Sequence, residues 1–183
     1  MGAARLMQRA AAVGAAGAIS MSLVACGAAD ADPRSGDGRE AAVYESVLVW
    51  MLDEEPPRAS DDGSDERPGW TMYVTSRYEE PIAVDVQAFV VEALDDHVVV
   101  RFIDERTEAV DERDERQPVR EDGILVGLGA VPPEGDSVVV YVDRYREIDD
   151  VEAFDVAVRR RGDTWEVVGV PAAADVRVLP PGD

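Results

Sequence analysis

"SVVVYVDRYREIDDVEAFDVAVRRRGDTWEVVGV" (residues 137–170) is the stretch that decides the fold. Within 137–147, 153–161 and 164–170, β-branched and aromatic residues alternate with polar ones, the period-two pattern of strands with one buried face. The connections are short, and Gly162-Asp163 is a two-residue turn in which glycine supplies the positive φ that a tight hairpin requires. Three strands joined this way form an antiparallel meander. Arg161-Gly162-Asp163 also spells a tripeptide that adhesion receptors read, and the turn accounts for it without such a role.

Working back towards the N-terminus, Asp122-Gly123 turns the chain into a strand at 124–131 (ILVGLGAV), and PPEGD turns it out again. HVVVRFI (97–103) is apolar almost throughout, which predicts a central strand, and WTMYVTSR (70–77) predicts another. Between these two, Ile82, Val86, Phe89, Val90 and Ala93 keep helical spacing behind Pro81. A further helix over 38–54 is marked by Asp37 and Glu40 in capping-box spacing and by Val43, Val47 and Trp50 on one face, widened by Tyr44, Leu48 and Met51. Pro56-Pro57 ends it.

The expected fold is therefore α+β: an antiparallel sheet of five to six strands with two helices packed on one face, a single domain over 37–171. Residues 53–69 and 104–122 are acidic segments, the first a long loop and the second a solvated helix or self-paired loop. Residues 172–183 read as a loose tail.

The 183-residue chain carries a formal charge of −21, and every cation in it is arginine. Such a charge disfavours nucleic acid and anionic headgroups as direct partners. With no lysine, a phosphate loop of the Walker type is excluded, and Gly127-Leu128-Gly129 lacks a dinucleotide fingerprint; its glycines mark a bulge or a close backbone approach. His97 is the single histidine, which removes catalytic triads and HExxH zinc sites, and it reads as a helix-to-strand connector. The triplet Asp-Glu-Arg recurs at 65–67, 104–106, 111–113 and 114–116 without the carboxylate spacing that wraps a calcium ion. No catalytic, cofactor-binding or metal-ligating residue is singled out. An acid pair could act hydrolytically, but 39 acidic residues supply chance pairs throughout. The aromatics Trp70, Tyr141 and Tyr145, on the sheet face opposite the helices, are the candidate ligand surface.

The N-terminus speaks to location. Arg5 and Arg9 form a basic head, Ala10 to Leu23 an apolar run too short to span a bilayer, and Cys26, the single cysteine, closes it. Leu23-Val24-Ala25-Cys26-Gly27 resembles the lipobox of bacterial lipoproteins. The resemblance implies a signal peptide over 1–25, a diacylglycerol on Cys26, a flexible tether over 26–36 and a domain held at the extracytoplasmic face of the cell membrane. Gly27 in place of aspartate means that the inner-membrane retention signal of two-membrane cells is missing. With Cys26 acylated the folded part has no thiol, so stability must come from a packed core. The closing RRRGDTWEV is similar to the last hairpin of cystatin-like and NTF2-like sheets, over about thirty residues.

The function expected is binding, without catalysis or cofactor: a lipid-anchored lipoprotein whose partner is an envelope protein or a small ligand. An envelope hydrolase with paired carboxylates and a calcium-stabilised surface module are the alternatives.

Overall fold

The computed structural model describes residues 36–54, 70–78 and 80–170. The stretches read above as a lipobox with Cys26, a signal peptide, a tether (up to residue 35), a long loop (55–69) and a tail (172–183) lie outside them.

In chain order the elements are α1 (Gly36–Glu54), β1 (Thr71–Ser76), α2 (Val84–Leu94), β2 (Val99–Phe102), a one-turn helix α3 (Arg106–Ala109), a 3-10 turn (Arg120–Asp122), β3 (Ile124–Leu128), β4 (Ser137–Glu147), β5 (Asp150–Arg161) and β6 (Thr164–Gly169). The six strands form one sheet in the order β2-β1-β3-β4-β5-β6. The C-terminal meander is as the alternation predicts: β4, β5 and β6 pair antiparallel in sequence order, and Gly162 takes φ +63° in the two-residue turn. The helix expected behind Pro81 is α2, which buries Val86, Val90 and Leu94.

Three expectations need correction. The sheet is mixed rather than antiparallel, because β1 pairs parallel with both β2 and β3. The order strand, helix, strand from β1 through α2 to β2 is a crossover unit, which returns the chain to the end from which β1 started and so makes the two strands parallel. β2 is an edge strand rather than a central one. Val98 and Val100 are buried, whereas Val99 is half exposed at 49%, so the run of valines covers one face only. Lastly, α1 is already helical at Gly36 and Asp37, so Asp37 lies within the helix and not at its cap.

Alternate strand residues divide the apolar side chains into two clusters, as the pleat requires. Met72, Val74, Ile124, Val126, Val140 and Val156 join Val43, Val47, Leu48 and Met51 of α1 and Val86, Val90 and Leu94 of α2 in the main core. Tyr73, Leu125 and Tyr145, neighbours across β1, β3 and β4, form a second cluster with Ala109, Val110 and Val119. This is where the charged segment 104–122 departs from a wholly solvated reading. It is the connection between β2 and β3, which flank β1 in parallel, and it carries three apolar residues onto the sheet. An antiparallel bridge between Val110 and Val119 closes it on itself. Glu105 and Glu108 complete a capping box at α3, and Glu121 accepts from Thr71 at 2.7 Å and pairs with Arg101 at 3.1 Å.

Gly127 is a close-approach glycine. The Arg77 side chain crosses over it from the end of β1 to make a two-pronged ion pair with Asp143 of β4, leaving no room for a Cβ. Gly129 meets Tyr141 in the same way: a Cβ there would lie 3.0 Å from the Tyr141 Cβ. Tyr44 of α1 fixes this end of β3 by donating to the Gly129 carbonyl at 2.9 Å. Burial, reinforced by Glu40, drives the Tyr44 hydroxyl far above the usual tyrosine range.

Candidate functional site

The expected ligand aromatics do not form one exposed surface: Tyr141 and Tyr145 share a face of the sheet, and Trp70 is buried on the other side. Trp70 is 5% exposed and belongs to the main core, while Tyr145 is 7% exposed within the second cluster. Tyr145 donates to the Gln117 carbonyl at 2.8 Å, and the Arg106 guanidinium lies over its ring at 4.4 Å from the centroid. Tyr141 shares the Tyr145 face of β4, half buried opposite Asp155. His97 is exposed in the turn after α2, where its N–H donates to the Leu94 carbonyl at 2.8 Å.

Two hollows stand out. One, of about 720 Å³, lies where β1 and β2 end and α2 begins, between Val74, Ile82 and Phe102, with Tyr78 and Val84 exposed at its rim. Its polar groups are largely spoken for: Ser76 Oγ donates to the Glu80 carbonyl at 2.8 Å and Gln87 Nε2 to the Ile82 carbonyl at 2.7 Å.

The other, of about 410 Å³, is a groove between α1 and the edge strand β6, and it is chemically richer. Helical spacing puts Glu45, Val49 and Asp53 at i, i+4 and i+8 along one line of α1, with Trp50 beside them. β6 supplies Trp165, Glu166 and Val167. The two walls are tied by Ser46, whose Oγ lies 2.6 Å from the Trp165 carbonyl oxygen. Trp50 is held edge-on against Phe154, centroids 5.4 Å apart, and Arg39 lies over Trp165 at 5.2 Å from the ring centroid. Arg39 in turn donates to the Gly135 carbonyl at 2.8 Å and to that of Pro132, so the guanidinium is fixed where it meets the indole. Burial raises the Glu45 carboxyl above its ordinary value. Glu166 is exposed and pairs with Arg161 at 3.1 Å.

Two of the three tryptophans and three carboxylates thus line one groove. Sequence reasoning assigned Trp50 to the core stripe and left Glu45 and Asp53 among many acids. The signal available was the i, i+4, i+8 line of Glu45, Val49 and Asp53 next to that tryptophan.

Among the described residues no three His, Cys, Asp or Glu side chains gather closely enough to hold a metal ion. Among them, too, no helix is long and apolar enough to cross a membrane. Compared with known proteins, the chain matches no family model, no curated protein and no solved structure.

Proposed function

We propose that this chain is a lipid-anchored extracytoplasmic lipoprotein whose folded domain captures a ligand in the groove between α1 and β6. The observation that carries the anchoring is the order of its N-terminus: basic head, short apolar run, then Leu23-Val24-Ala25-Cys26-Gly27. Two or more acyl chains on Cys26 would hold the domain at the membrane, since each buried methylene contributes about 0.8 kcal/mol. In this reading both helices are layered on one face of the sheet, the 104–122 segment covers part of the other, and the groove at the β6 edge stays accessible. Its volume falls within the range of small-ligand sites, and its walls combine apolar surface with a few placed polar groups.

The experiment places a photo-crosslinking residue at Val49, which is 39% exposed in the groove, and irradiates intact cells. The reading expects a reproducible adduct on the peptide carrying position 49, identified by mass, in the membrane fraction. No adduct at 49 with adducts at a control position such as Ile148 would overturn the choice of groove.

One observation favours a second reading, the hydrolase. Glu45, its carboxyl raised by burial, lines the same groove as Asp53 and Glu166, and an acid raised in this way is the general-acid half of such a pair. A Glu45→Gln variant that kept ligand binding while losing turnover would establish it.

A further inference from the structure

We propose that the ligand of the α1–β6 groove is a small organic cation, an ammonium or guanidinium group carried on an apolar body. The inference rests on reading that groove as the ligand site. Glu45, Asp53 and Glu166 set negative charge on both walls, and among the described residues the one cation paired with them, Arg161, is exposed and holds Glu166. Anionic ligands would meet this charge within a chain whose net charge is −21, whereas cations are concentrated near it.

The indoles say what kind of cation. A guanidinium or ammonium within about 6 Å of an aromatic centroid is attracted by the ring's negative face. Trp165 is buried and its ring is already covered by Arg39, so the indole that the groove offers is the half-buried Trp50. A bare metal ion fits poorly, because the three carboxylates are strung along the groove and do not converge on one point. A larger cation matches, its charge facing the carboxylates and its body lying against Trp50, Val49 and Val167.

The test is fluorescence titration of the full-length, detergent-solubilised protein, which reports on Trp50 and Trp165 directly. Phenethylammonium is the probe and 3-phenylpropionate the size-matched anion. The expected result is a saturable change with half-saturation near about 1 mM for a ligand of this size. The anion should give no saturation up to about ten times that concentration, and Glu45→Gln combined with Asp53→Asn should raise the half-saturation by about five-fold or more. Asp53→Asn alone, at an exposed position, guards against a folding artefact and should weaken binding in the same direction with an unchanged Tm. Equal response to the anion, no saturation by the cation, or undiminished affinity in the carboxylate variants would each overturn the proposal. A cellular adduct at position 49 that carries no cationic group would remove the cation while leaving the groove as the site. Absence of both adduct and cation response would remove both.

Discussion

Replacing Gly127 with alanine tests the account of the sheet most sharply. Gly127 sits on β3 with Asp143 opposite it on β4 and Thr75 beside it on β1, and the Arg77–Asp143 ion pair lies directly over its Cα. A methyl group at this position overlaps both the guanidinium and the carboxylate, so the pair must separate. The Asp143 side chain is 8% exposed and that of Arg77 25%. Arg77 can swing into water, whereas Asp143 stays behind as a buried acid without its partner. Breaking a fully buried pair costs about 3–5 kcal/mol, and the partial exposure of Arg77 reduces this to about 2–3 kcal/mol. Without the clash, alanine in a strand would be neutral or mildly favourable relative to glycine. Urea unfolding of Gly127→Ala should therefore show a loss of about 2–3 kcal/mol, equivalent to a Tm drop on the order of 10 °C. The same substitution in an Arg77→Ala/Asp143→Ala background should cost under about 1 kcal/mol, because the obstructing groups are gone. A loss below about 0.5 kcal/mol in the parent, or an undiminished loss in the double background, would refute the reasoning.

Burial pushes the Asp143 carboxyl above its ordinary value despite Arg77, so the folded state binds that proton more readily than the unfolded chain. The stability of the parent relative to Asp143→Asn should therefore rise as pH falls through the raised Asp143 value towards the ordinary aspartate value and level off below it; urea unfolding at stepped pH in which the parent stays flat or falls against Asp143→Asn would contradict this. Glu121 behaves oppositely. Its hydrogen bond from Thr71 holds its carboxyl below the usual range, so its contribution is present above the usual glutamate value and is lost as pH falls through the lowered one. Thr71→Val should weaken that acid-side loss when the two proteins are unfolded in parallel. Val110→Asp, which puts a charge into the second cluster, should destabilise by at least about 2 kcal/mol, whereas a segment merely lying on solvent would tolerate it with a change under about 0.5 kcal/mol.

The meander was legible in the sequence because period-two alternation and the Gly162-Asp163 turn are both local signals. Both long helices were legible from their 3.6-residue stripes. Strand direction was harder to read: the parallel pairing of β1 with β2 is set by the crossover through α2, a relation of order rather than of any residue. HVVVRFI looked central because all its valines count equally in hydropathy, yet Val99 faces outward. The roof over Tyr145 was hidden because Ala109, Val110 and Val119 are scattered among charges with no period, and only the Val110–Val119 bridge brings them together. The groove followed the same logic. Trp50 could be read as a helix-face aromatic, but its partner wall comes from β6, more than a hundred residues away in the chain.

The measurement that tests the central claim most directly is the intact mass, with N-terminal peptide sequencing, of the protein purified from the membranes of the cell that makes it. The account predicts a chain that begins at Cys26 and carries a diacylglyceryl group on its sulfur, with Cys26→Ala leaving residues 1–25 in place. A membrane-extracted chain that retains those residues, or one cut elsewhere with a free thiol at Cys26, would contradict it.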